Sequence, residues 1–286
     1  MKIYLINLET SSDRRAHMSN ELKRLVPTIQ IKRALCVDIK NNDWSPPKNI
    51  KPGKWQSDRW ALGPSDIEIF RSHQYCWNKI AASKEMGIIL EDDLLFSNNF
   101  PKILKFLTKL KINGIFKLDG VNLPLLINKP TMISENVQIS KFKTIAVSAA
   151  AYAIDPQTAK ELSGLAKINR TVDDYLFDPA QTSRNAQRHG LPIFQVEPVC
   201  AAQAQFGAYF DKTRQIPSFL EVTKRADAKS HKSRLLSGPI LYRFKKEIIR
   251  TIYKYKLQKY KKNIIAKNSS WRSPLLSKDL VWKQDS

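Results

Sequence analysis

Apolar and polar positions along this chain fall into blocks of two periods, and the blocks take turns. Lys2 to Leu8 is a short, nearly continuous apolar run that reads as a buried strand. Ser11, Ser12 and Asp13 then offer helix caps, and Met18, Leu22 and Leu25 recur at helical spacing through Arg14 to Leu25. Ile29 to Leu35 suits a second strand. Asn41 to Trp60, rich in Pro, Trp, Asn and Lys, has little period and predicts a long loop near the site. Pro64 opens a helix whose apolar face includes Ile67, Phe70 and Trp77 to Ile80 and which runs towards Lys84 until Gly87 stops it. Strand followed by capped helix, repeated, is the pattern of an α/β domain.

The second half continues less regularly. Ile88 to Leu90 reads as a strand, Pro101 starts a helix through Leu110, and Phe116 to Leu118 and Ile145 to Ile154 read as further strands. Asp155 and Pro156 begin a helix through Ala159, Leu162 and Leu165, Val172 to Gln187 suits another, and Ile193 to Val196 a last core strand. The domain is expected to close near Pro217, giving a body of residues 1–217 and an extension of 218–286. After the break Ser237-Gly238-Pro239, Leu241, Phe244, Ile248, Ile252 and Tyr255 fall three or four apart with Arg243, Lys246, Arg250, Lys254 and Lys261 interspersed, which predicts a basic amphipathic helix.

Composition sharpens that picture at two points. A chain of 286 residues, 42% hydrophobic, can bury a sizeable core, so a disordered chain is excluded. The formal charge of +22 is uneven: between Lys224 and Lys267 fifteen Lys or Arg face two acids, Asp227 and Glu247, a net +13. Such a segment calls for a polyanionic neighbour, either a membrane surface carrying anionic lipid or a nucleic acid, on which Tyr242, Phe244, Tyr253, Tyr255 and Tyr260 could stack. A solvated helix packed on the body is the plain alternative. Three widely spaced cysteines, Cys36, Cys76 and Cys200, fit a reduced compartment and no zinc site. No run reaches the roughly 18 apolar residues of a spanning helix, and Asn7 and Glu9 interrupt the start before a signal-peptide core forms. The expected place is therefore the cytoplasm.

Candidate chemistry concentrates where the strand Ile88 to Leu90 ends in Glu91, Asp92 and Asp93. Ligands of open α/β sheets sit outside the carboxyl ends of strands. Three adjacent carboxylates repel one another unless a cation compensates, and oxygen ligands favour Mg2+ or Mn2+, with Asp93 the first choice as direct ligand. The alternative is that these acids cap the helix starting near Asn98 or lie solvated in a turn. No glycine-rich phosphate loop, dinucleotide fingerprint or nucleophilic triad spacing occurs.

The order of several motifs narrows the reading. Ile3-Tyr4-Leu5-Ile6-Asn7-Leu8, then Asp13-Arg14-Arg15, Ser72-His73, Glu91-Asp92-Asp93, Ala151-Tyr152-Ala153-Ile154 and Val172-Asp173-Asp174 together resemble glycosyltransferase family 25, the lipopolysaccharide and lipooligosaccharide galactosyltransferase group, over residues 1 to 205. The resemblance implies a GT-A-like, Rossmann-type domain that binds a nucleotide sugar. It implies an inverting transfer, with galactose from UDP-galactose moved to a lipid-linked saccharide by an enzyme peripheral on the inner face of the bacterial inner membrane. Asn7, Arg14, Arg15, His73, Glu91 and Asp92 would then lie at the donor, Asp93 would hold Mn2+ or Mg2+ against the diphosphate, and Asp173 or Asp174 would take the proton of the acceptor hydroxyl. Each has a plainer role open to it: the arginines as a solvated helix face, His73 as a packed helical histidine, Asp173 and Asp174 as helix N-terminal acids. Two other classes stay open, a nucleic-acid-binding module with a structural acidic turn and a family member without catalysis.

Overall fold

A computed structural model describes residues 1–36, 45, 48, 62–165, 168–177, 191–217, 270–283 and isolated positions between 241 and 262. The loop expected over 41–60 and the second half of the helix expected over 172–187 lie almost wholly outside the described residues. The rest is a mixed α/β body built on one eight-stranded sheet.

β1 (Lys2–Leu8) lies in the parallel part of that sheet because both its faces are apolar: Ile3 and Leu5 point to one core, Tyr4 and Ile6 to the other. α1 (Ser12–Leu25) buries Met18 and Leu22 beneath it, as their spacing predicts, and leads to β2 (Gln30–Cys36), parallel to β1. α2 (Pro64–Ala81) starts at a proline, with the Asp66 carboxylate accepting from the Gly63 amide at 2.8 Å. It ends before Lys84, and Gly87 opens β3 (Gly87–Leu90), where a Cβ would fall 2.3 Å from the Ile80 side chain. β3 pairs with β1 on the side opposite β2. The chain therefore reverses its direction of travel across the sheet at β1, and a crevice forms beyond the carboxyl ends of β1 and β3.

β4 (Leu94–Phe96) follows at once, then α3 (Phe100–Leu107), shorter than the run to Leu110 suggests. β5 (Ile115–Lys117), β6 (Leu125–Ile127), β7 (Thr131–Ser134) and β8 (Val137–Lys141) precede β9 (Ala151–Ile154). The strand expected from Ile145 forms only over these last four residues, because Ser148 takes a left-handed backbone, φ 74°, that ends any extended run. α4 (Pro156–Leu165) and α5 (Val172–Phe177) pack beside α2, and β10 (Ile193–Glu197) returns parallel to β5. The full order is β2-β1-β3-β9-β5-β10-β8-β7, with β9 antiparallel to both β3 and β5. One face is covered by α1 and α3, the other by α2, α4 and α5, which makes three layers with two apolar cores.

Within the stretch expected to form an extension, residues 270–283 lie against the body. β11 (Ala201–Gln203) pairs with β4, β12 (Gly207–Tyr209) with β14 (Leu280–Trp282), and β13 (Ser270–Arg272) with β6. The fully buried Glu197 anchors this return: its carboxylate accepts from Arg272 at 2.6 and 2.8 Å, from the Leu275 amide at 2.7 Å and from Gln138 at 2.9 Å. Of the basic stretch, Leu241, Phe244, Ile248, Ile252 and Tyr255 are helical and exposed. Among the described residues no helix is long and apolar enough to cross a membrane.

Candidate active site

Glu91, Asp92 and Asp93 leave β3 at its carboxyl end, in the crevice beside β1, and the three carboxylates have different partners. Asp92 is held by β1 and α1: Asn7 Nδ2 donates to its Oδ2 at 2.7 Å and Arg14 Nη1 to its Oδ1 at 3.3 Å, while the same Asn7 amide donates to the Ser11 carbonyl. Asp93 accepts from Gln203 Nε2 on β11 at 3.1 Å, and that amide nitrogen also reaches Glu91 Oε2 at 3.4 Å. Glu91 further faces His73 Nε2 of α2 at 3.5 Å. None of the three caps a helix, since β4 follows them and α3 begins only at Phe100 with no side-chain cap.

Behind these acids lies a second buried group that sequence reasoning missed. Lys117 Nζ donates to Asp119 Oδ1 at 2.6 Å and to the Ser148 carbonyl, and sits 4.7 Å from the centre of the Phe177 ring. Ser148 Oγ lies against Asp119 and against Gln203 Oε1 at 2.9 Å, so Gln203 joins the two acidic groups. A lysine and an aspartate inside the apolar run Ile115 to Leu118 and its exit were the sequence signal for this pair, since neither is left buried without a partner. Gln203, at the end of the three-residue β11, carries no such contrast in the sequence.

A cleft of about 340 Å³ opens on this arrangement, lined by Glu91, Ser148 and Gln203, by Asp173 and Asp174 in the first turn of α5, and by Gln205 and Phe206. Asp174 is buried, whereas Asp173 is half-buried. Burial pushes the carboxyl groups of Glu91 and Asp93 well above the usual range; the Asp119, Asp92 and Asp173 carboxylates add to this at Glu91, and Glu91 and Asp92 at Asp93. Burial drives His73 the other way, down to about 3, so its ring is neutral.

A divalent cation would answer this concentration of charge. Among the described residues no three His, Cys, Asp or Glu side chains converge as a closed cage. The donors present are carboxylate oxygens of Asp93 and Glu91, and Asn7 Oδ1 close by is buried with no hydrogen bond. That set fits Mg2+ or Mn2+, which bind through one or two carboxylates and take their remaining oxygens from phosphates and water.

The family model for glycosyltransferase family 25 (LPS biosynthesis protein) matches residues 1–176. The chain belongs to this family. The match runs from β1 through the acids after β3 to Asp173 and Asp174. Comparison with curated proteins finds no match. Among solved structures, an active-site mutant of LgtC is similar at 12% identity, over 79% of this chain and 96% of that one, with a TM-score of 0.35. The galactosyltransferase LgtC in complex with donor and acceptor sugar analogs is similar at 12% identity over 71% and 86%, TM-score 0.33. The inositol-1-phosphate CTP transferase from T. maritima is similar at 10% identity over 78% and 76%, TM-score 0.33.

In this family 25 chain, most residues singled out from sequence meet in one place: Asn7, Arg14 and Asp92 form one group, and Glu91, Asp93 and His73 continue it to the cleft holding Asp173 and Asp174. Arg15, the next residue along α1, makes no ion pair among the described residues.

Proposed function

We propose that this family 25 glycosyltransferase moves a sugar, galactose from UDP-galactose, onto a lipid-linked lipooligosaccharide or lipopolysaccharide acceptor with inversion at the anomeric carbon. The observation that carries the reading is the placement of Glu91, Asp92 and Asp93 at the carboxyl end of β3, where Glu91 lines a sugar-sized cleft together with Asp173. Asp93 and Glu91 would hold Mn2+ or Mg2+, which supplies charge stabilisation for the departing diphosphate. Arg14 and the start of α1 offer donors to the same phosphates, and Asn7 fixes Asp92 so that the acids keep their spacing. Asp173, being the more open of the neighbouring pair, accepts the proton of the acceptor hydroxyl as that oxygen attacks the anomeric carbon opposite the diphosphate.

A lipid-linked acceptor asks for a protein that sits on the bilayer. Leu241, Phe244, Ile248, Ile252 and Tyr255 are all exposed, and at about 100° per residue they fall within an arc of about 80° on one helix face. An apolar stripe in a segment of net charge +13 fits an anionic membrane interface on the cytoplasmic side. The catalytic body is then residues 1–217 completed by 270–283, with the basic stretch inserted between them.

UDP-galactose with Mn2+ should raise the melting temperature of the unmutated chain and leave Asp93→Ala unmoved. Asp173→Asn should lose at least about a hundredfold in turnover while still showing the shift, and Asp174→Asn should lose less. A chain that binds no nucleotide sugar but binds single-stranded nucleic acid would be a binding module with a structural acidic turn. One that binds donor, and whose slow donor hydrolysis is unchanged in Asp173→Asn, would be a family member without this catalysis. Mass spectrometry with a donor series and extracted lipooligosaccharide identifies the sugar.

A further inference from the structure

α2 sets His73 and Trp77 one turn apart on its buried face, and both reach the same atom, the phenolic oxygen of Tyr152 on β9. Trp77 Nε1 lies 2.7 Å and His73 Nδ1 2.8 Å from it, and all three side chains are completely buried. The protons on these three groups can be counted. Indole nitrogen only donates, so Tyr152 Oη accepts from Trp77. If His73 Nδ1 also carried a proton, Tyr152 would accept twice and its own hydroxyl proton would be left without an acceptor in a site closed to water, the costly arrangement. If Tyr152 O–H donates to Nδ1, every group is satisfied. The imidazole then carries its one proton on Nε2.

Nε2 is the atom that faces the site. It is buried, has no hydrogen-bond partner, and lies 3.5 Å from Glu91 Oε1. A shift of about 0.5 Å brings the pair to ordinary hydrogen-bond length. The Nδ1 bond to Tyr152 and complete burial hold the imidazole with this edge towards Glu91, its ring 8° from parallel to that of Tyr152.

We infer that Trp77, Tyr152 and His73 form a fixed relay of hydrogen bonds that presents His73 Nε2–H to Glu91 and so holds one carboxylate of the donor site in place. His73 is a positioning residue in this account and takes no proton from the substrate. The inference rests on the proposed function for the part Glu91 plays. It rests on the relay alone for the position of the proton.

The test reads the two separately. The full chain labelled with ¹⁵N-histidine contains His17, His73, His189 and His231, and loss of one signal set in His73→Gln assigns His73. The expected spectrum at about pH 7 shows His73 with a protonated Nε2 and a bare Nδ1, and a loss of that fixed tautomer in Tyr152→Phe. A protonated Nδ1 in the unmutated chain overturns the relay. Activity supplies the other arm. His73→Phe should lower kcat about ten- to hundredfold with little change in donor KM, and His73→Gln, whose amide nitrogen reaches the place of Nε2, should recover most of it. Equal loss in both variants overturns the positioning role. Absence of turnover with every nucleotide sugar would strike the transferase reading and leave the spectra to decide the relay.

Discussion

At the scale of single residues, the site is a problem of like charge solved by neighbours. Asp92 accepts a hydrogen bond from Asn7 and pairs with the charge of Arg14, while Glu91 and Asp93 share one amide, that of Gln203. Both carboxyl groups are raised by burial first and by their acidic neighbours second, so the folded protein favours their protonated forms. Stability from a raised carboxyl group is complete below the ordinary carboxylate range and is lost as pH rises through the raised folded values. The metal-free chain should therefore melt at lower temperature as pH is taken from about 5 to about 9, and Mn2+ should offset the loss. In Glu91→Gln/Asp93→Asn both the slope and the metal effect should shrink; calorimetry across that range checks this, and an equal slope in the double variant would assign it to other groups.

The elements show which patterns in a sequence carry through. Strand β1 and helices α1 and α2 formed where their periods put them because each buries a whole face: Ile3 and Leu5 above Met18 and Leu22, Tyr4 and Ile6 against Phe70 and Trp77. The acids after Leu90 were legible for the same reason, an abrupt change from full burial to charge at a strand end. Strands of three residues, such as β4, β11 and β12, have no period to read, and their pairing is set by partners more than 70 residues away, as in Ala201 with Phe96 and Gly207 with Trp282. Gln203 belongs to such a strand and Ser148 to the irregular stretch before β9, so their part in the site emerged only from the fold. The return of the chain over these short strands depends on Glu197. Arg272→Met should cost about 3 to 5 kcal/mol by leaving a buried carboxylate short of its main partner, and urea denaturation measures it; a cost under about 1 kcal/mol would mean that β13 and β14 hold without it.

For the whole molecule, charge is divided between two tasks. On the proposed reading the acidic cleft takes a cation together with the diphosphate, and the segment of net +13 meets an anionic surface. If the second surface is a bilayer, vesicles containing about 30% anionic lipid should sediment the unmutated chain, by the attraction of about 1 kcal/mol per basic residue near the surface. The variant Leu241→Asp/Phe244→Asp/Ile248→Asp should stay in the supernatant at equal net fold and equal donor binding. Sedimentation of both would remove the apolar stripe from the account. Substitution is the sound test because a chain cut at Pro217 would also lose β13 and β14.

The one antiparallel strand at the middle of the sheet, β9, gives this architecture a rule of its own. Leu90 pairs with Ala151, and the Glu91 amide donates to the Ala150 carbonyl, so the last residue of β3 lies beside the first of β9. A parallel neighbour would bring to that rim the residues that follow it. This neighbour instead brings those that precede it, and Val147, Ser148 and Ala149 form a wall of the cleft for that reason alone. Variation in substrate preference among proteins built this way should collect upstream of the strand, in the half-dozen positions where the chain is still arriving.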